Sequence, residues 1–303
     1  MTQQSLVLGF IGIGLMGTPM TKRLLAAGYQ VNVWNRSATK LDSVVNEGAI
    51  AKASIAELVV DSDVVMTCVS DTDAVREVVF GEQGIVQAVQ NNRNSKARYL
   101  IDFSSIDPEQ TRTMADELKK ATGIEWVDSP VSGGVAGAEQ GTLAIMCGGD
   151  ASTIEFLTPV LEPLSQRVTR MGPVGCGQVT KICNQMIVSC NVLVMAEVMA
   201  MAEKAGVDAG QIPEALKGGF ADSIPLQLTG PRMASRDFDD VKWHVKTLLK
   251  DLDMANHLAK TMESSIPMAG LGAELMRMHS SNGYKEQDPC TLIEQYTAKT
   301  KTN

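Results

Sequence analysis

The sequence predicts an α/β protein in which a doubly wound, mostly parallel sheet is followed by an all-α domain. Three observations lead to this fold class: strand-like and helical segments alternate over the first half, a glycine-rich turn follows the first strand, and strand patterns disappear in the second half. At 303 residues, 44% of them hydrophobic, the chain exceeds the usual size of a single core. We therefore expect two domains, residues 1–173 and 174–303.

The first apolar run, residues 6–11, ends in a turn with the spacing Gly-x-Gly-x-x-Gly, and a helical segment at 18–27 follows. The missing Cβ of Gly14 lets a pyrophosphate approach the backbone, and that of Gly17 lets the helix pack close to the strand. The N-terminus of the helix then faces the phosphates. The alternative is a tight turn that serves packing alone. The predicted cofactor contacts are Gly12, Gly14, Leu15, Met16 and Gly17.

The second strand, residues 30–34, indicates which dinucleotide binds. An NAD site usually carries Asp or Glu at the end of this strand, where the carboxylate holds the ribose hydroxyls. This chain has Asn35 and Arg36 there, and an arginine can pair with a ribose 2′-phosphate. We therefore expect NADP rather than NAD, the alternative being that Arg36 is an ordinary solvated residue.

The remaining elements of the first domain complete the alternation. Strands are predicted at 64–69, 99–103, 124–127, 143–147 and 168–171, and helices at 107–122 and 151–164. The segment 171–177 is rich in glycine and proline, which places the domain boundary there.

Only helices are predicted in the second domain, at 178–205, 211–217, 241–262, 267–280 and 289–298, the last with Asp288 as its N-cap. Residues 186–202 are apolar enough to resemble a membrane span, but Ser189, Asn191 and Glu197 interrupt them. The pattern favours a buried core helix.

Composition excludes several classes of partner. A net charge of -8 and a pI near 5.0 argue against nucleic acid and against an anionic membrane. The first five residues lack the basic region of a secretory signal, so we expect none. Six cysteines without CxxC spacing indicate reduced thiols in the cytoplasm. The three histidines lack the spacing of a zinc site, so no metal is expected.

The long helix at 178–205 carries a polar stripe that predicts a proton-transfer group. Lys181, Asn184, Gln185 and Ser189 share one face of an otherwise apolar helix. Burying an unpaired lysine costs several kcal/mol, which makes Lys181 a candidate general acid or base that bonds a substrate oxygen. The alternative is a lysine that extends its ammonium group to solvent.

A loop of small residues follows the strand at 124–127 and so emerges at the carboxyl edge of the sheet, where ligands bind in open α/β folds. Ser132, Gly133 and Gly134 offer a hydroxyl and free backbone N–H groups that suit a substrate carboxylate. A small-residue turn with no ligand is the alternative.

Taken together, these motifs resemble the β-hydroxyacid dehydrogenase family, which includes 3-hydroxyisobutyrate dehydrogenase, tartronate semialdehyde reductase and relatives of 6-phosphogluconate dehydrogenase. The resemblance covers nearly the whole chain. It rests on GFIGIGLMGTPM at 9–20, DSPVSGGVAGAEQGTLAIMCGG at 128–149, the helix start at 177–185 and the Lys-Asp-Leu motif at 250–252. Residues 218–223 most resemble the branch of tartronate semialdehyde reductase and 2-(hydroxymethyl)glutarate dehydrogenase.

The resemblance implies a Rossmann-type first domain and a role for each matching residue. Lys181 matches the catalytic lysine that exchanges a proton with the reacting oxygen, and Asn184 matches an asparagine that orients the hydroxyl. Residues 132–134 match the loop that holds the substrate carboxylate. Val69, Ser105 and Lys250 match contacts near the cofactor. Two departures leave the substrate open, since Gln185 stands where many members have a second asparagine and Val69-Ser70 where many have Leu-Pro.

The expected function is hydride transfer between NADP(H) and a small β-hydroxyacid or semialdehyde. An imine reductase and a non-catalytic NADP-binding protein are the alternatives, but imine reductases generally lack the lysine found at position 181. The chain has 17 methionines, many on the apolar helices of the second domain, and with the resemblance they predict a homodimer or homotetramer.

Overall fold

The computed structural model describes residues 6–92 and 94–297, and the chain divides into two compact units, Met1–Lys181 and Ile182–Asn303. The division falls inside a long helix whose start is hydrogen-bonded to Asp128 of the first unit, and the domain boundary expected at 173/174 stays a prediction. The expectation of no secretory signal concerns residues 1–5, which lie outside the described residues.

The first unit is built on one sheet. Its strands in chain order are β1 (Val7–Ile11), β2 (Gln30–Trp34), β3 (Ile50–Ala51), β4 (Val64–Thr67), β5 (Tyr99–Asp102), β6 (Glu125–Asp128), β7 (Val131–Ser132), β8 (Leu143–Gly148) and β9 (Ser165–Gly172). They lie in the order β3-β2-β1-β4-β5-β6-β8-β7, and β9 pairs with β8. The strands from β1 to β6 are parallel, whereas β8 joins β6 in the antiparallel sense. This order confirms the doubly wound, mostly parallel sheet.

Eight helices of the first unit connect these strands. They are α1 (Gly17–Ala26), α2 (Asp42–Val45), α3 (Ile55–Asp61), α4 (Thr72–Phe80), α5 (Ile85–Asn91), α6 (Pro108–Thr122), α7 (Gly134–Gln140) and α8 (Ala151–Leu161), counted over the described residues. Asp71, Asp107 and Asp150 cap α4, α6 and α8 by accepting hydrogen bonds from first-turn N–H groups.

Side chains of the central strands alternate between two buried clusters. In β1, Phe10 belongs to the cluster that includes α1 and α8, while Ile11 belongs to the cluster formed with α3 to α6. The same alternation holds for Met66 and Val65 in β4. Because neighbouring residues of a strand point to opposite faces, the sheet has a core on each side.

Helices dominate the second unit. They are α9 (Cys176–Lys204), which begins in the first unit, then α10 (Ile212–Leu216), α11 (Ile224–Ser235), α12 (Val245–Thr261) and α13 (Pro267–His279). The main core cluster packs α9, α11, α12 and α13 together through residues such as Met199, Met233, Leu248 and Met276. An all-α second half is thereby confirmed for the described residues.

Three details of this unit differ from the sequence prediction. The segment predicted as an α-helix at 289–298 is a 3-10 helix, Pro289–Gln295, capped as expected by Asp288, and residue 298 lies outside the described residues. Helix α12 begins at Val245 rather than at residue 241, because the N–H of Lys242 is bonded to Asp288 Oδ2 instead. Helix α11 was not predicted, since Pro225, Gly230 and Pro231 weaken its helical pattern.

Helix α9 is long and apolar enough, by length and composition, to cross a membrane, and no other helix of the described residues is. Half of its most apolar stretch is buried within the protein. Ser189, near the middle of α9, is fully buried. This burial is what a core helix of a folded domain shows.

Candidate functional site

Parallel pairing brings the ends of five strands of the first unit to one edge of the sheet. Ile11 pairs with Trp34 and with Thr67, Thr67 pairs with Asp102, and Asp102 pairs with Asp128. The residues that follow these positions therefore lie along one edge, which is where open α/β sheets bind ligands. Six of the predicted cofactor and substrate segments follow them: the glycine turn, Asn35, Arg36, Val69, Ser105 and residues 132–134.

The glycine turn has the shape that a dinucleotide needs. Gly12 has φ +100, and a Cβ there would lie 2.3 Å from Cys68 O. A Cβ at Gly17 would lie 2.1 Å from Gly12 O, so both glycines are required by close backbone packing. A Cβ at Gly14, in contrast, would meet no other atom within 4 Å. Helix α1 starts after Met16 with no side-chain cap. Thr18 N donates to Gly14 O at 3.0 Å and Pro19 has no N–H, so the N–H groups that this turn can offer to a phosphate are those of residues 14–17.

Asn35 ties the glycine turn to the end of β2. Its Oδ1 accepts a hydrogen bond from Ile13 N at 3.0 Å, and its Nδ2 donates to Ser37 O at 2.9 Å. The predicted cofactor residue thus holds two loops of the site in place. Arg36 is exposed beside it. The guanidinium is therefore accessible to a ligand at this edge.

Sequence reasoning missed Ser104, which supports the predicted contacts Val69 and Ser105. Ser104 is buried, and its Oγ accepts a hydrogen bond from Val69 N at 3.0 Å. Its own N–H donates to Asp102 Oδ1 at 3.0 Å, and Thr67 Oγ1 donates to the same oxygen at 2.8 Å. This network fixes the loops after β4 and β5 relative to each other. No local pattern signals it, because the partners are 35 residues apart.

Asp102 is fully buried, and burial raises the pKa of its carboxyl to about 6, although hydrogen bonds from Ser104 and Thr67 act in the opposite direction. Its Oδ2 has no hydrogen-bond partner among the described residues. Ionisation of this carboxyl is therefore penalised in the folded protein.

The predicted substrate loop contains two glycines with positive φ at the sheet edge. Ser132 is half-buried in β7, where it pairs with Ala144. Gly133 and Gly134 follow with φ +134 and +62, and both are exposed. Residues with a side chain rarely adopt these φ values, so glycine is favoured at both positions.

Lys181 is half-buried and is the last residue of the first unit. It follows Gln178 by three residues on α9, and Gln178 is only 1% exposed. The Nε2 of Gln178 donates to Ser104 O at 2.8 Å and its Oε1 accepts from Ile106 N at 3.2 Å. Gln178 was not singled out from the sequence, yet it joins the helix of Lys181 to the loop that carries Ser105.

The second unit brings its own predicted residues together around Asp251. Gln185 Nε2 donates to Asp251 Oδ2 at 2.5 Å, and Asn184 Nδ2 donates to Gln185 Oε1 at 2.9 Å. Lys250 Nζ lies 3.6 Å from the other oxygen of Asp251. Because an ionised carboxylate only accepts hydrogen bonds, Asp251 fixes which way both amides point. The Lys-Asp-Leu motif contained this residue, but its role was not predicted.

No group of three or more His, Cys, Asp or Glu residues that could hold a metal ion occurs in the described part of the chain. All six cysteines lie in that part as free thiols. The candidate groups of the first unit are thus hydroxyl, ammonium, guanidinium and backbone groups at the sheet edge, and those of the second unit are the amides and the ammonium group around Asp251.

Comparisons with known proteins find relatives of both halves of the chain. Residues 7–172 match the NAD binding domain of 6-phosphogluconate dehydrogenase, and residues 175–296 match the NAD-binding domain of NADP-dependent 3-hydroxyisobutyrate dehydrogenase. The 2-hydroxy-3-oxopropionate reductase of Escherichia coli (strain K12) is 36% identical over 287 residues, which cover 95% of this chain and 96% of that protein.

Two solved structures are similar over nearly the whole chain. The 3-hydroxyisobutyrate dehydrogenase of Mycobacterium tuberculosis, solved with L-serine, has a TM-score of 0.83 at 27% identity and covers 97% of this chain and 99% of its own. Psf3 in complex with NADP+ and 2-OPP has a TM-score of 0.83 at 25% identity and covers 96% of this chain and 100% of its own.

Proposed function

The chain belongs to the β-hydroxyacid dehydrogenase family, and we propose on that basis that it transfers a hydride between NADP(H) and a small β-hydroxyacid or semialdehyde, with Lys181 as general acid and base. The class of enzyme, an NAD(P)-dependent hydroxyacid dehydrogenase, follows from the family. The cofactor preference, the substrate and the residue roles are the proposal.

One observation supports the role of Lys181 above the others. The residue lies in the same compact unit as the glycine turn, on a helix whose first turn is bonded to the loop after β5. That loop carries Ser105, a predicted cofactor contact. A lysine on a helix that is anchored to the dinucleotide edge is suited to proton transfer, whereas a lysine that only extends to solvent needs no such anchoring.

The chemistry requires one proton for each hydride. When bound, the dinucleotide supplies or accepts the hydride. In the reduction, the Lys181 ammonium donates a proton to the carbonyl oxygen as it becomes a hydroxyl, and in the oxidation the neutral amine takes that proton back. Glycine-turn N–H groups and the start of α1 hold the pyrophosphate, and no metal takes part.

The substrate is proposed to carry a carboxylate. Ser132 and the N–H groups at Gly133 and Gly134 offer it hydrogen bonds, Gln185 is a further substrate-binding residue, and Asn184 orients the hydroxyl. A carboxylate next to a hydroxyl or aldehyde is also the chemistry of the compounds in the names of the relatives, 2-hydroxy-3-oxopropionate, 3-hydroxyisobutyrate and L-serine.

NADP is proposed as the preferred cofactor because Arg36 is exposed at the end of β2, where an acidic residue would bind the hydroxyls of NAD. A similar structure contains NADP+. The ratio of the KM values for NADPH and NADH tests this preference, and a lower KM for NADH would contradict it.

A homo-oligomer in the cytoplasm is proposed as the working form. Ile187, Val194 and Met201 are 70%, 51% and 66% exposed and lie seven residues apart on one face of α9. A row of large apolar side chains of this kind is typical of subunit interfaces. The six free thiols suit a reducing compartment. We infer neither a nucleic-acid partner nor a membrane partner from the net charge of -8.

Initial rates on a panel of substrates test the proposed activity. The panel contains 2-hydroxy-3-oxopropionate, 3-hydroxyisobutyrate, L-serine and a cyclic imine, each with the phosphorylated and the unphosphorylated cofactor. We expect turnover of at least one carboxylate-bearing substrate and none of the imine. Imine reduction alone would favour an imine reductase, and binding of NADPH without any turnover would favour a non-catalytic protein.

A further inference from the structure

A buried carboxylate at the end of β6 is bonded to the start of the helix that bears Lys181. Asp128 is fully buried. Its Oδ1 accepts a hydrogen bond from Gly175 N at 2.7 Å, and its Oδ2 accepts one from Gln178 N at 2.9 Å. A negative charge next to the otherwise unpaired N–H groups of a helix start is favourable. Asp128 thus caps α9 from a strand that lies 47 residues earlier in the chain.

The surrounding backbone is shaped to admit this contact. A Cβ at Gly177 would lie 2.7 Å from Asp128 Oδ2 and 2.4 Å from Met146 O. A Cβ at Gly148 would lie 2.5 Å from Asp128 Oδ1. Real side chains essentially never approach so closely, so any side chain at either position would push the carboxylate away from the helix. The cap therefore depends on two glycines that the predicted cofactor turn does not explain.

Asp128 also begins the loop that is proposed to bind the substrate carboxylate. The residues that follow it, 129–134, lead directly to Ser132 and the two exposed glycines. The helix start is held a second time by Gln178, through Ser104 O and Ile106 N. One helix turn separates Gln178 from Lys181. Because a helix is rigid over one turn, these bonds fix Lys181 relative to the end of β6 and to the loop after β5.

We propose that Asp128 and Gln178 are positioning residues that hold the Lys181 helix in register with the substrate loop and the cofactor loop. Asp128 sets the helix relative to the substrate loop, and Gln178 sets it relative to the loop of Ser105. Neither residue is required to touch the substrate. The inference rests on the proposed function, since the position of Lys181 affects the reaction only if Lys181 transfers a proton.

A double-mutant cycle separates this role from a contribution to folding alone. Asp128→Asn keeps the size of the side chain but turns an NH2 group toward one of the two N–H donors, which displaces the helix start. Because a displacement of about 1 Å can cost roughly 100-fold in rate, we expect kcat to fall about 100-fold. The dissociation constant for NADPH should change less than about threefold, since Asp128 does not contact the glycine turn.

The same substitution is then made in the Lys181→Ala background, with active enzyme counted by NADPH titration and the best substrate of the panel used throughout. If Asp128 acts through Lys181, it should lower the residual kcat by less than about threefold there. Gln178→Met keeps a side chain of similar length but removes both of its hydrogen bonds. It is run through the same cycle and tests the positioning role if Asp128→Asn does not fold.

Asp150→Asn is the matched control, because Asp150 caps α8 in the same unit with the same chemistry but at an exposed position. Its kcat should stay within about twofold of the wild-type value. Equal losses of kcat in both backgrounds, or a loss of NADPH affinity in Asp128→Asn as large as its loss of kcat, would overturn the positioning role. A Lys181→Ala variant with near wild-type kcat would instead overturn the proposed function itself.

Discussion

The two units hold their candidate site residues by different kinds of hydrogen bond. In the first unit, side chains bind backbone groups of distant loops: Asn35 accepts from Ile13 N, Ser104 accepts from Val69 N, and Asp128 accepts from Gly175 N. In the second unit, side chains bind one another, from Asn184 to Gln185 to Asp251.

This difference predicts how each unit responds to substitution. A side chain bound to backbone fixes the path of a whole loop, so that its loss moves every ligand contact on that loop. A chain of amides and a carboxylate fixes only the orientation of the groups within it. We therefore expect substitutions of these residues in the first unit to lower activity more than substitutions in the second unit, and the predictions below test that ranking.

The largest loss of activity is expected from substitution of Lys181, the residue on the helix that Asp128 and Gln178 hold in place. Lys181→Ala should lower kcat by about 1,000-fold or more, because no other group is proposed to supply the proton, while the dissociation constant for NADPH stays nearly unchanged. Steady-state rates and a fluorescence titration with NADPH measure the two quantities. Lys204→Ala, an exposed lysine on the same helix, should leave both as they are.

Asn35→Ala tests whether an anchor of the first unit acts on a whole loop. We expect the KM values for NADPH and NADH to rise together, by about 10- to 100-fold, because the glycine turn loses the bond that fixes Ile13 N. Arg36→Ala should raise the KM for NADPH alone. If Asn35→Ala affected only one cofactor, the anchoring role would be wrong.

Asp251→Asn tests the side-chain network of the second unit. An asparagine can donate as well as accept, so the amides of Gln185 and Asn184 are no longer held in one orientation. We expect kcat/KM for the hydroxyacid to fall by about tenfold, less than for the anchors above. The control is Asp253→Asn, also on α12, which removes an exposed ion pair with Arg277 of α13. A loss above about 100-fold would reverse the ranking of the two units.

The effect of Asp102→Asn on the free energy of unfolding tests whether burial disfavours the ionised Asp102 carboxyl. Burial raises the pKa of Asp102 from its usual 3.8 to about 6, so the folded protein binds a proton more tightly than the unfolded chain. The ionised form is penalised, and this group alone lowers the free energy of unfolding as pH rises from about 4 to about 6.

At one pKa unit per 1.36 kcal/mol, the shift corresponds to roughly 3 kcal/mol. Relative to the wild type, Asp102→Asn should therefore gain about that amount between pH 4 and pH 7 in urea unfolding followed by tryptophan fluorescence. If the difference in free energy of unfolding between Asp102→Asn and the wild type did not change with pH, burial would not disfavour the ionised carboxyl.

The parts of the molecule that depend on local pattern could be predicted from the sequence. The Gly-x-Gly-x-x-Gly turn after an apolar run led to β1, α1 and the backbone contacts of Gly12 and Gly17. The polar stripe on an apolar helix led to Lys181, Asn184 and Gln185. In each case the residues that matter are close in the chain, so a period of 2 or 3.6 residues reveals them.

The residues that hold the site could not be predicted in this way. Ser104 acts on Val69 over 35 residues, Asp128 on Gly175 over 47, and Gln185 on Asp251 over 66. A buried aspartate at a strand end has no local signature that separates it from an exposed turn residue. The prolines in α11 likewise weaken its helical sequence pattern, so the helix could not be predicted, and its stability comes from packing against the core.

The most direct test of the central claim is the response of Lys181→Ala to small primary amines. If the Lys181 amine exchanges a proton with the substrate oxygen, an amine such as ethylamine should restore part of kcat in proportion to its concentration, while the wild type is unaffected. The substrate is the best carboxylate of the panel, with ionic strength held constant. A Lys181→Ala variant whose turnover stays low and does not respond to any amine, or one that turns over at the wild-type rate without amine, would contradict the account.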